Sequence, residues 1–196
     1  MEDLAKFAIR AYWETSGSQV RAEELDEPLV NGLLLNHKVY AVRTKEWGSL
    51  VGVVAVGYYD GYTFVLPGKV GAAPDNFNEM IIREKILVDE KAALNISKVY
   101  VIVESQAYKR SFLEKATDIP WSENAAGKNP SEYENIVKPH QVTPTSDGGF
   151  QVRLYTWGRT LGILIEWSFV ISSDGQLSIQ TVEVAQEVGD CIFPPI

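Results

Sequence analysis

Three runs in the last third of the chain constrain its fold more than anything else in the sequence. Phe150–Trp157, Ile163–Ser172 and Leu177–Val184 are rich in β-branched and aromatic residues, and turn residues separate them. In the second run Ile163, Ile165, Trp167, Phe169 and Ile171 recur at the two-residue period of a strand, so they share one face of a sheet. Connections this short make antiparallel hairpins and leave little room for the crossovers of a parallel sheet.

A second meander is expected upstream. Lys38–Thr44 alternates, and Leu50–Tyr58 is almost continuously apolar, which reads as burial on both faces. Asp60-Gly61 signals a tight hairpin into Tyr62–Leu66, which Pro67-Gly68 ends. Helical spacing places Leu4, Phe7, Ala8, Ala11 and Tyr12 on one face of a helix over residues 3–14. A long central helix is predicted from about Asn76 to Leu94. Lys98–Glu104 reads as a strand through Val99, Val101 and Val103, Gln106–Ala116 as a further helix, and Val20–Pro28 as an acidic loop. From Asp118 to Asp147 periodicity fades among Pro120, Pro130, Pro139 and Pro144, and an irregular excursion is expected over 118–147.

This succession predicts one α+β domain spanning residues 1–196. Its mostly antiparallel, curved sheet has six to seven strands in two meanders, packed against an N-terminal helix and the long central helix. Two half-sheets in separate lobes are the other arrangement this order allows.

Composition narrows the function classes. Eighteen basic against twenty-six acidic residues give a net charge of −8, and no Lys or Arg follows Arg159. Backbone binding to nucleic acid requires clustered cations that displace counterions, so neither nucleic acid nor an anionic membrane surface is an expected partner. The single cysteine, Cys191, excludes an intrachain disulfide. Met1-Glu2-Asp3-Leu4 lacks the basic and apolar regions of a secretory leader, and the expected location is cytoplasmic.

The chemistry-bearing residues are few. His37 and His140 are the only histidines and lie at no metal-ligand spacing, so no metal and no cofactor is expected; both read as surface loop residues, with His140 kept as a candidate base. Gly68–Ala73 superficially suggests a phosphate cradle but lacks the order of a P-loop. Glu166 interrupts an otherwise apolar strand: it is either a buried carboxylate with a catalytic role, or a half-exposed one pairing across strands with Arg153 or Arg159. Tyr155 and Trp157, with Arg153 and Arg159 nearby, are candidates to line a ligand pocket or a protein interface, or to serve as sheet packing, and the same choice applies to Tyr58, Tyr59 and Tyr62. Glu84-Lys85 and Asp89-Glu90-Lys91 read as a solvated helix face.

The expectation drawn from these residues is a non-enzymatic binding or adaptor protein, acting through protein contacts on an acidic surface. The alternative is a small-molecule site or enzyme whose pocket lies between the curved sheet and the helices, with Glu166, Arg153, Tyr155, Trp157 and His140 as the ligand-binding candidates. A homo-oligomer formed through exposed sheet faces is compatible with either.

Overall fold

The computed structural model describes residues 4–11, 19–66, 74–107, 109–121 and 129–192. The end of the expected first helix, the Gly68–Ala73 loop and part of the 118–147 excursion lie outside the described residues. The fold is α+β, with two antiparallel sheets. Each meander closes into its own sheet. The chain divides into two compact units: Met1–Ala107 with Ser173–Gln176, and Tyr108–Ser172 with Leu177–Ile196.

The first unit contains α1 (Leu4–Arg10), β1 (Val20–Glu24), α2 (Pro28–Leu33), β2 (His37–Thr44), β3 (Leu50–Gly57), β4 (Thr63–Leu66), α3 (Asp75–Glu84) and α4 (Glu90–Glu104). Its sheet runs in the order β1-β2-β3-β4. As a central strand, β3 is buried on both faces from Val53 to Gly57, which is what its unbroken apolar run requires. Ala8 of α1 packs with Val20, Tyr40, Val42, Val54 and Val56, so α1 covers one face of this sheet. On the other face His37 meets Phe64 edge to face, with ring centroids 5.5 Å apart.

The second unit contains β5 (Arg110–Leu113), β6 (Gln141–Pro144), β7 (Phe150–Gly158), β8 (Ile163–Ile171) and β9 (Leu177–Ala185). The order is β5-β7-β8-β9, and β5 and β6 lie end to end along one edge of β7: Leu113 opposes Tyr155 and Gln141 opposes Arg153. Ile165, Trp167, Phe169 and Ile171 are buried together, and the Trp167 indole N–H donates to the buried Thr156 hydroxyl at 2.8 Å. The three C-terminal strands thus match their expected bounds to within a residue or so.

Four expectations fail in informative ways. The long central helix is two helices, because Lys85 takes a left-handed conformation (φ 54°) and ends α3. Asp89 then caps α4 by accepting from the Ala92 N–H at 2.7 Å. Lys98–Glu104 is the second half of α4 and no strand: Ile96, Val99, Tyr100 and Val103 follow helical spacing, and Val101 is buried as well. A helix buried nearly all round gives the same short apolar run as a strand. Gln106–Ala116 contains β5 where a helix is expected, since Arg110–Leu113 pairs with Thr156–Gly158 and Tyr155 of β7. Finally, Val20–Glu24 is an edge strand and Pro28 opens α2 at a position where its missing N–H costs nothing.

Candidate binding site

The expected site residues on the second sheet do come together, but they satisfy one another. Tyr155 and Glu166 face each other across β7 and β8, and the Tyr155 hydroxyl donates to Glu166 Oε2 at 2.7 Å. Arg153 Nε lies 3.3 Å from Glu166 Oε1. Burial, reinforced by the Glu166 hydrogen bond and charge and opposed by Arg153, pushes the Tyr155 phenol up to about 12. This is the half-exposed, cross-strand account of Glu166. Trp157 is part of a buried cluster with Leu113, Ile119, Tyr133, Tyr155 and Val188, and its indole N–H donates to the Val188 carbonyl at 2.7 Å. His140 sits apart from the triad's contacts: its Nδ1 is 2.6 Å from Glu114 Oε1, and its backbone N–H reaches Glu114 Oε2 at 3.2 Å.

An open cleft of about 750 Å³ lies elsewhere, in the first unit, and none of those five residues lines it. Its wall is built from three pieces. Phe7 comes from α1, Leu35, Lys38 and Tyr40 from the entry into β2, and Tyr58, Tyr59, Asp60 and Gly61 from the β3–β4 hairpin. The volume falls within the usual range for a ligand pocket, roughly 300–1,000 Å³.

Local chemistry fixes the hairpin. Asp60 Oδ1 accepts from the Tyr62 N–H at 2.9 Å, closing an Asx-type turn, and Gly57 and Tyr62 are joined through N–H to carbonyl at 2.9 Å. Gly61 has φ +64°, a conformation that favours glycine, and a Cβ there would press on the Phe7 ring at 3.0 Å. Behind the turn the Arg83 guanidinium lies 4.2 Å over the Tyr62 ring and 3.8 Å from Asp60 Oδ2. The hairpin therefore holds Tyr58 and Tyr59 outward on a braced turn, and Tyr59 is 92% exposed.

The segment entering β2 depends on a residue that sequence reasoning misassigned. Glu84, the last residue of α3, is buried, not part of a solvated face. Its carboxylate accepts from the backbone N–H groups of Leu35 and Asn36 at 3.0 Å and from the Asn36 side-chain amide at 3.1 Å. His37 Nδ1 lies 2.6 Å from Glu84 Oε1, and His37 is likewise buried where a surface loop residue was expected. The carboxylate clamps the turn that carries Leu35 at the cleft mouth, and the Asn36 carbonyl in turn accepts from the Tyr58 N–H at 2.9 Å. The turn before β2 is thereby tied to the β3–β4 hairpin. Lys38 donates a hydrogen bond to Glu24, which raises the lysine pKa and keeps the ammonium charged.

Among the described residues no helix is long and apolar enough to cross a membrane. No family model, no curated protein and no solved structure matches this chain.

Proposed function

We propose that the chain is a binding protein whose contact surface is the tyrosine-rimmed cleft of the first unit, and that its ligand is another protein. The observation that carries this reading is the exposure of large side chains at a braced site: Tyr59 at 92% and Leu35 at 71% both line one cleft. Aromatic side chains that are presented rigidly lose little conformational freedom on binding, and tyrosine is enriched among residues that dominate interface energies. A partner side chain entering between Tyr58, Tyr59 and Phe7 would meet apolar surface with one ammonium, Lys38, and one carboxylate, Asp60, at its edge. The net charge of −8 disfavours nucleic acid as that partner. A single cysteine suits a reducing compartment, and we place the binding in the cytoplasm.

The cleft's volume favours a second reading, a drug-sized small molecule in the same place. One experiment separates them: gentle purification and native mass spectrometry of the wild-type chain and a Tyr58→Ser/Tyr59→Ser variant. A co-purifying chain that the double variant loses supports the protein-binding reading. A small adduct that the variant loses replaces it with the small-molecule reading. The same species retained by both proteins would move the site away from the cleft.

A further inference from the structure

We propose that the outer edge of β9 receives an extended, positively charged segment of another protein as an added strand. Three observations converge on it. First, among the described residues β9 pairs with β8 alone and ends the sheet, so one row of its backbone N–H and carbonyl groups faces outward. Its regular stretch Ser178–Glu183 makes an edge roughly 20 Å long. The register is regular from Leu177 to Glu183, with its one irregularity opposite Leu164 and Ile165.

Second, apart from the bulge at Val184, the edge lacks the usual protections. Natural sheets blunt an edge with lysine, proline or a short strand. Leu177–Ala185 reads Leu-Ser-Ile-Gln-Thr-Val-Glu-Val-Ala, with no Lys, Pro or Gly. Gln180, Thr181, Val182 and Glu183 are all exposed, so both faces of the strand are uncovered through its middle. A bare, regular edge with β-branched side chains is the template on which peptides add by main-chain pairing.

Third, charge selects the occupant. The only ionisable group on β9 is Glu183, which is exposed and accepts from the Gln186 side-chain amide at 2.6 Å. No Lys or Arg occurs after Arg159, whereas Glu183 and, just beyond the strand, Glu187 are exposed. A second copy would bring the same acidic edge and a further charge of −8. A strand with a basic residue beside Glu183 and β-branched residues beside Thr181 and Val182 is attracted on every count.

The test uses the full chain and two synthetic peptides as long as β9. Both alternate valine with threonine; one carries lysine at its ends and centre, and the other carries glutamate there. Fluorescence anisotropy should show the lysine peptide binding at least about tenfold more tightly than the glutamate peptide, with association slowed by added salt. Glu183→Lys should reverse that preference. Backbone amides alternate in direction along a strand, so one of Gln180→Pro and Thr181→Pro deletes an outward N–H while sparing the β8 ladder. That variant should keep the wild-type circular dichroism and lose the peptide. Tyr58→Ser/Tyr59→Ser should bind the peptide as the wild type does, which keeps this site distinct from the cleft. Equal binding of the two peptides, or lysine-peptide binding that survives both proline variants, would overturn the proposal. So would a homodimer that Glu183→Lys or a proline variant dissolves.

Discussion

Glu84 offers the sharpest test of how the cleft is built. Replacing it with Ala removes the acceptor of the Leu35 and Asn36 N–H groups, of the Asn36 amide and of His37 Nδ1. A hydrogen bond to a charged group contributes about 1.5–3 kcal/mol, and breaking a buried pair typically costs about 3–5 kcal/mol. These bonds share one carboxylate and do not add, and water can reach Leu35, whose side chain is 71% exposed. The expected loss for Glu84→Ala is therefore about 3–5 kcal/mol, or a fall in Tm of roughly 6–20 °C for a chain of this size. Glu84→Gln keeps one acceptor oxygen but turns an amide N–H₂ toward donors, and should lose about 2–3 kcal/mol. Urea unfolding gives the free energies. Hydrogen exchange at the Leu35 and Asn36 amides gives the local consequence, which should be faster in both variants under native conditions. A loss below about 1 kcal/mol for Glu84→Ala, with unchanged exchange at those amides, would refute the claim that this carboxylate holds the wall.

Two further outcomes follow from other parts of the molecule. Gly149→Ala would place a Cβ 2.2 Å from the Ile171 carbonyl oxygen, against backbone at the start of the β7–β8 pairing. The strands must shift to accept it, and a loss of about 1–3 kcal/mol is expected in thermal unfolding. Tyr155 and Tyr100 are each held protonated to about 12, by burial first and then by Glu166 and Glu104 respectively. Because their folded pKa values exceed the unfolded value of 10.0, each contributes stability that is complete below pH 10 and is lost as pH rises toward 12. Tyrosinate absorbance should show a component that ionises well above pH 10, and Tyr155→Phe should reduce that component and soften the alkaline loss; ionisation of both Tyr155 and Tyr100 near pH 10 would contradict it.

How far the sequence could be read depended on the range of the interactions involved. β7, β8 and β9 were legible because each carries its own alternation, and pairing with the next strand in line adds nothing that contradicts it. The Tyr58–Tyr62 turn was legible for the same reason: Asp60 and Gly61 are local signals of a hairpin, and aromatic residues flank them. α4 was not, since its buried residues surround the helix and erase the stripe that marks an amphipathic one. β1 is polar along most of its length because an edge strand needs only Val20 buried to be anchored. Glu84 and His37 lie 47 residues apart, and neither has a local feature that announces the other. The one local signal is that Glu84 sits one turn beyond Met80 and three residues beyond Ile81, on the apolar stripe of α3. The cleft suffers most from this limit. Its three pieces come from α1, the β2 entry and the β3–β4 hairpin, and only the last has a signature of its own.

The division of the chain also sets an order of events during synthesis. Ser173–Gln176 belong to the first unit, where a Cβ on Gly175 would lie 3.0 Å from Ile81 and 3.8 Å from Val88. The rest of that unit is finished by Ala107. At about 5–20 residues per second, the stretch from Ala107 to Gln176 takes roughly 3 to 14 s to emerge. For that interval the nascent first unit lacks the turn that packs on Ile81 and Val88, and its apolar surface there faces solvent. A ribosome-bound chain stalled just short of Ser173 should be more open to protease around α3 than one stalled well beyond Gln176.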